Sequence, residues 1–233
     1  LFAHQSNMKL NTYNNLLELF FDQYEKQDKN NIFLTNLGNP QLKLSWEKTY
    51  LLINHLSNKI SKDIKLGDRC ILISENRPEW LISDLAIMLA GGISVPSYTT
   101  YTTKDYEYII KDCEPSVVIV SNKEQFKKVK DILDYKKIKK IISFDRLENL
   151  NFENYLCIED FINKNNNFEN FNSEISLKRT DPACIIYTSG TQGNPKGVIL
   201  SHGGILSNCE GGYELLKPII SKDMKFLTWL PLS

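Results

Sequence analysis

The chain has 233 residues, 42% hydrophobic and 24% charged, ordinary values for a globular protein and enough to bury a core without disulfide or metal staples. Lys+Arg and Asp+Glu number 28 each; this balance argues against a chain-wide nucleic-acid footprint, which needs a basic excess, and leaves room for a local cationic pocket. Cys70, Cys113, Cys157, Cys184 and Cys209 are scattered, with no CxxC pair, so a disulfide framework or zinc site is not expected and a reducing cytosol is.

In chain order, "YNNLLELFFDQYEKQ" (13–27) spaces Leu16, Leu17, Phe20, Phe21 and Tyr24 as one helical face. "NIFLTN" and "LKLSW" flank "LGNPQ" and predict strand, turn and strand. "WEKTYLLINHLSNKISKD" predicts a second amphipathic helix, and Gly67-Asp68 turns the chain into the strand "RCILIS". Pro78 suits the first turn of the helix "EWLISDLAIMLA", where its missing N–H costs nothing. That helix ends at Gly91-Gly92. Glu79 and Trp80 at its start are expected to cap and pack.

"ISVPSY" then reads as a strand, and "TTKDYEYIIKDCEP" as a Thr-capped helix stopped by Pro115. The strand "SVVIVS", the helix "KEQFKKVKDILD" and the strand "KKIISF" follow. Strand and helix alternate through residues 69–143, which predicts an α/β fold of stacked βαβ units with a mainly parallel sheet. Residues 146–180 break the rhythm with the Asn-rich "NKNNNFENFNSE" and predict a variable polar surface connection. "ACIIYTS" and "GVILSH" read as strands, "GGILSNCEGGYELLK" as a helix and "KFLTWL" as a last strand.

No run reaches the roughly 20 apolar residues that cross a bilayer, and "LFAHQSNMKL" lacks the features of a signal peptide. The chain opens without Met, Met8 is a candidate initiator, and "MKFLTWLPLS" closes it on a strand and a proline turn. The expectation is one incomplete domain, residues 1–233 of a longer protein.

The segment "IIYTSGTQGNPKG" (185–197) sets hydroxyls, glycines and one lysine between two apolar strands. It is not a Walker loop, because Lys196 follows Pro195 and not the glycine, and it is not GxGxxG. Both of those loops run from strand into helix, whereas this one is read as running from strand to strand, with no helix N-terminus behind it to hold an anion. Glycines let successive backbone N–H groups point inward as an anion nest. Thr188, Ser189 and Thr191 add hydroxyl donors, Lys196 adds a compact positive charge, and Pro195 stiffens the approach to it. A plain connecting turn is the alternative for any one of these residues; the ordered set favours a phosphate cradle. His202 after "VILS" reads as a packed or capping residue, and His4 and His55 have no ligand partner at useful spacing.

"YTSGTQGNPKGVILSH" resembles the phosphate-binding loop of the adenylate-forming superfamily, which includes acyl-CoA synthetases, luciferases and peptide-synthetase adenylation domains. Thr188, Ser189, Gly190, Thr191, Gly193, Pro195, Lys196 and Gly197 fall on the pattern YTSGTTGxPKGV, and Gln192 departs from the commoner Thr or Ser. The block from "ENRPEWLISDLAIMLAGG" through "PSYTTYTTKDYEYII" to "VVIVS" is similar to the upstream region of long-chain acyl-CoA synthetases. "FLTWLPLS" resembles the strand before a family His. The resemblance covers roughly residues 10 to 233.

This resemblance implies part of the large N-terminal domain of the adenylate-forming fold and an acid–thiol ligase. A carboxylic acid, a long-chain fatty acid by the upstream block, would react with ATP to give acyl-adenylate and then, with coenzyme A, acyl-CoA. It implies ATP phosphates on Thr188, Ser189, Gly190, Thr191, Gln192, Gly193 and Lys196, catalytic parts for Lys196 and Thr191, and Thr188 as a Mg²⁺ ligand. The implied partners are fatty acid, ATP and CoA, with no nucleic acid. The setting is cytoplasmic, with peripheral contact at a membrane left open. The complete family carries further motifs downstream, so these 233 residues alone are expected to be inactive. The alternatives are adenylation of an aryl or amino acid, or a non-catalytic nucleotide-binding remnant.

Overall fold

The computed structural model describes residues 10–162, 168, 171, 175–188, 195–219 and 224–228. A 3-10 turn at Leu10–Thr12 leads into α1 (Leu16–Lys26), whose cap Asn15 accepts from the Glu18 N–H. β1 (Ile32–Thr35) and β2 (Lys43–Ser45) form the expected antiparallel hairpin. Ser45 then caps α2 (Trp46–Ser61) by accepting from the Lys48 N–H. Each cap satisfies one donor that a helix start leaves without a partner.

The main sheet uses β3 (Arg69–Ile73), β4 (Ile93–Ser97), β5 (Val117–Val120), β6 (Lys140–Ser143), β7 (Tyr155–Cys157), β8 (Pro182–Thr188) and β9 (Lys196–Ser201). Its order is β7-β6-β5-β3-β4-β8-β9. Every neighbouring pair is parallel except β8 and β9, so the mainly parallel sheet is as expected.

The apolar runs "RCILI" and "VVIV" are continuous because both faces of the sheet are covered. Cys70, Leu72, Val117, Ile119 and Ile142 face a core shared with α1, α2 and α3 (Pro78–Leu89). Their neighbours Ile71, Ile73, Val118, Val120 and Ile141 face a second core with α4 (Thr103–Cys113) and α5 (Lys123–Val129). Thr102 and Asp105 close α4 with a reciprocal capping box, which satisfies two backbone donors at once. Glu114, at φ 43°, ends the helix in the left-handed region just before Pro115.

Three sequence expectations change. The Asn-rich connection holds β7 and α6 (Glu159–Ile162) at its start, with Cys157, Ile158, Phe161 and Ile162 buried. A three-residue strand is too short to show a period, so composition hid it. α5 stops at Val129, short of the expected Asp134. The expected last strand "KFLTWL" is not a strand over its described part, 225–228. Phe226 and Leu227 are 58% and 64% exposed, and no ladder neighbour among the described residues turns that apolar run into a strand. Trp229–Ser233 lie outside the described residues.

Candidate functional site

β8 and β9 form a hairpin whose apolar sequence supplies the ladder and whose polar loop caps it. The register runs Cys184↔Leu200, Ile185↔Ile199, Ile186↔Val198, Tyr187↔Gly197 and Thr188↔Lys196. β8 runs parallel to β4 and pairs with it at Ser94↔Cys184. The loop after β8 therefore leaves the sheet at the same carboxyl edge as the loop after β4, which is where open α/β sheets bind ligands.

Thr188 and Lys196 are the last pair of the ladder, and both are exposed. Directly opposed side chains share one face, with Cβ atoms about 5 Å apart. A hydroxyl and an ammonium thus stand together where the loop begins and ends. Ser189, Gly190, Thr191, Gln192 and Gly193, the remaining candidate phosphate contacts, lie outside the described residues. The strand-to-strand setting inferred for the loop holds, since β8 enters it and β9 leaves it.

One residue back, side chains point to the other face. Tyr187 is 3% exposed and belongs to the core beneath α4. Its hydroxyl donates to Asp112 Oδ2 on α4 at 2.5 Å. Burial first, then that carboxylate, holds the phenol protonated far above the usual tyrosine range. The Tyr187 carbonyl accepts from the Tyr101 hydroxyl at 3.1 Å.

Tyr101 is itself braced edge-on by Tyr98 and Tyr106, with ring centroids 5.4 and 5.9 Å away. Tyr106 is buried and donates to the Tyr98 carbonyl at 2.6 Å. Gly197 sits opposite Tyr187 because the ring lies over it: a Cβ there would meet Tyr187 Cζ at 3.2 Å and Ile185 Cγ2 at 3.0 Å.

The base of the hairpin is fixed as well. The His202 N–H donates to the Asp181 carbonyl at 3.1 Å, and Ser201 caps α7 (His202–Leu216) by accepting from the Gly204 N–H. His202 is 1% exposed and its Nδ1 accepts from the Leu16 N–H at 3.3 Å, so it is the packed residue that its position suggested. Burial lowers its pKa, against a smaller opposing pull from Asp181. Gly203 lets the helix approach Arg179, whose carbonyl would lie 2.9 Å from an added Cβ.

The sequence reading missed a charged network on the same edge. Arg77 makes paired bonds to Asp145 at 2.8 and 3.0 Å and also holds Glu79, 4% exposed, at 2.7 Å. The sequence assigned Glu79 to capping; it is instead a buried ion-pair partner, and Trp80 packs as expected, 7% exposed. No spacing rule links Arg77 to a partner 68 residues away.

All five cysteines are free. Among the described residues no three His, Cys, Asp or Glu side chains converge as a metal site, and no helix is long and apolar enough to cross a membrane.

The AMP-binding enzyme family matches residues 20–233. Long-chain-fatty-acid–CoA ligase ACSBG1 of Homo sapiens is 27% identical over 233 residues, covering 96% of this chain and 30% of its own length. ACSBG2 of Rattus norvegicus is 35% identical over 170 residues, covering 70% of this chain and 25% of its own. The chain thus spans less than a third of the length of these relatives.

Among solved structures, the anthranilate CoA ligase AuaEII in complex with anthranoyl-AMP superposes with a TM-score of 0.67 at 23% identity, covering 84% of this chain and 36% of that one. The luciferase-like enzyme from the mealworm Zophobas morio gives 0.72 at 17% identity, covering 91% and 48%. At these identities the likeness is one of fold. The family match spans nearly the whole chain, and the sheet is shared with N-terminal domains of adenylate-forming enzymes: the chain belongs to the AMP-binding enzyme family.

Proposed function

We propose that residues 188–197 are the phosphate loop of an acid–thiol ligase that activates a carboxylic acid with ATP and passes the acyl group to coenzyme A. The observation that carries this reading is the Thr188–Lys196 pair, a hydroxyl and an ammonium closing a glycine-rich hairpin loop at the carboxyl edge of the sheet.

In the first step a carboxylate oxygen of the acid attacks the α-phosphorus of ATP. The bond to the bridging oxygen breaks, and pyrophosphate leaves with that electron pair. Such a displacement needs positioning and charge neutralisation more than covalent help from the protein. Lys196 neutralises charge building on pyrophosphate, and the hydroxyls of Thr188, Ser189 and Thr191 donate to its oxygens; the Gln192 amide also donates. In the second step the coenzyme A sulfur attacks the acyl carbon and AMP leaves.

Thr188 offers one exposed hydroxyl oxygen, which fits Mg²⁺, a hard cation that takes few protein ligands and keeps waters and phosphate oxygens. Bound there, the ion would offset phosphate charge. Its further ligands would be phosphate oxygens, waters and groups elsewhere in the protein.

A long-chain fatty acid is the substrate we favour, supported by the likeness of the "ENRPEW" to "YEYII" block and by the names of the two ligases at 27% and 35% identity. The 233 residues alone, less than a third of those relatives' length, do not form acyl-adenylate in this reading.

The test is acid-dependent ATP–pyrophosphate exchange by the full-length protein across acids of graded length, with aryl and amino acids alongside. Exchange is expected to peak with long aliphatic acids and to fall on the order of 10²-fold or more in Lys196→Ala. A preference for aryl or amino acids overturns the substrate assignment. Undiminished exchange in Lys196→Ala overturns the loop.

A further inference from the structure

The tyrosine-rich segment "PSYTTYTTKDYEYII" runs from the end of β4 through a turn into α4, and nothing in the proposed reaction yet uses it. Its residues nevertheless converge on the strand that launches the loop. Tyr101, braced by Tyr98 and Tyr106, donates to the carbonyl of Tyr187, the residue before Thr188. Asp112, two turns along α4 from Tyr106, accepts from the Tyr187 hydroxyl. The ring so held lies over Gly197, the residue after Lys196. Both ends of the ladder's last pair are therefore flanked by one fixed side chain.

We propose that Tyr101, Asp112 and Tyr187 are positioning residues for the phosphate loop: α4 and the turn before it set the placement of Thr188 and Lys196 through the Tyr187 ring and carbonyl. The proposal rests on reading residues 188–197 as a phosphate loop. These three residues touch no substrate in it. They act on the loop's stem, where a misplacement of about 1 Å costs on the order of a hundredfold in rate. Two distinct bonds to one residue, one on its main chain and one on its side chain, restrain translation of the strand and rotation of the ring together. The aromatic residues of this segment thus serve the stem of the ATP loop.

The experiment measures KM for ATP, KM for the acid, kcat and Tm in the full-length protein, well below the melting temperature. Tyr101→Phe, Tyr187→Phe and Asp112→Ala are each expected to raise KM for ATP on the order of tenfold, with KM for the acid within twofold. Asp112 is exposed, so its replacement spares the core. Asp112→Asn keeps an acceptor oxygen and is expected to recover most of the loss. Tyr187→Phe with Asp112→Ala is expected to cost no more than either alone, because both remove one bond.

If Lys196→Ala raises KM for ATP while Tyr101→Phe, Tyr187→Phe and Asp112→Ala change Tm only, the positioning role is wrong and the loop stands. If Lys196→Ala also leaves KM for ATP unchanged, the loop reading itself has failed. Equal losses in Asp112→Asn and Asp112→Ala would likewise overturn the proposal.

Discussion

The Tyr187 ring and the Cα of Gly197 face each other across the β8–β9 ladder, with Tyr187 Cζ 3.2 Å from where a Cβ would stand. The ring cannot swing aside freely, because Asp112 holds its hydroxyl at 2.5 Å. Gly197→Ala is therefore expected to strain the hairpin, costing about 1–3 kcal/mol, as overpacking does. In a Tyr187→Phe background the ring is released and the cost should shrink. Denaturation of the two single variants and the double variant measures this: equal costs in both backgrounds would place the strain on Ile185, whose Cγ2 lies 3.0 Å from the added Cβ, and not on the held ring.

Asp84 on α3 carries a buried carboxyl with no partner for Oδ1. Burial raises its pKa to about 6, with only the Ser94 hydroxyl pulling it down. The folded protein therefore holds a proton there that the unfolded chain releases near pH 3.8. That contribution is full below about pH 4 and is lost as pH rises to about 6 and beyond, a span worth about 3 kcal/mol. Asp84→Asn should gain stability at pH 8 relative to pH 5. Urea midpoints at the two values decide it, and a pH-independent difference between the proteins would count against a buried neutral acid.

His202 works in the opposite sense. Its folded pKa is lowered by burial, so the unfolded chain takes up a proton first as pH falls below about 6.5. Stability present above that value is lost on acidification. His202→Gln, which keeps an acceptor for the Leu16 N–H, should flatten the decline between pH 7 and pH 5. NMR titration of the imidazole gives an independent reading, and a pKa at or above 6.5 would contradict the packing argument.

Arg77 is the cation for Glu79, a residue that is 4% exposed. Removing it leaves that charge buried without its partner, a loss of about 3–5 kcal/mol. Arg77→Lys should recover little, because a point charge cannot make the paired bonds to Asp145 while also reaching Glu79. The reverse change, Glu79→Gln, should cost less than Arg77→Ala. Calorimetry of the three variants ranks them.

What the sequence disclosed follows from where its information lies. Buried parallel strands print themselves as apolar runs, so "RCILI" and "VVIV" and the helices between them were legible, as were local caps such as Thr102 and the helix-starting Pro78. The hairpin around the loop was legible because two apolar runs flank a glycine-rich gap. Strand order was not, since β3 lies between β4 and β5 only after two crossovers. Nor were the bonds of Tyr187, whose partners lie 75 and 86 residues away. "MKFLT" misled for the converse reason: an apolar period specifies a strand only where a neighbour completes its hydrogen bonds.

β9 carries a practical consequence. Among the described residues it pairs with β8 alone, and its Val198, Ile199 and Leu200 are 44%, 63% and 37% exposed. An apolar edge with open backbone donors and acceptors is a template for another chain. Preparations of these 233 residues alone would lose material to self-association as concentration rises. Ile199→Lys is the change to make first when these 233 residues are produced on their own.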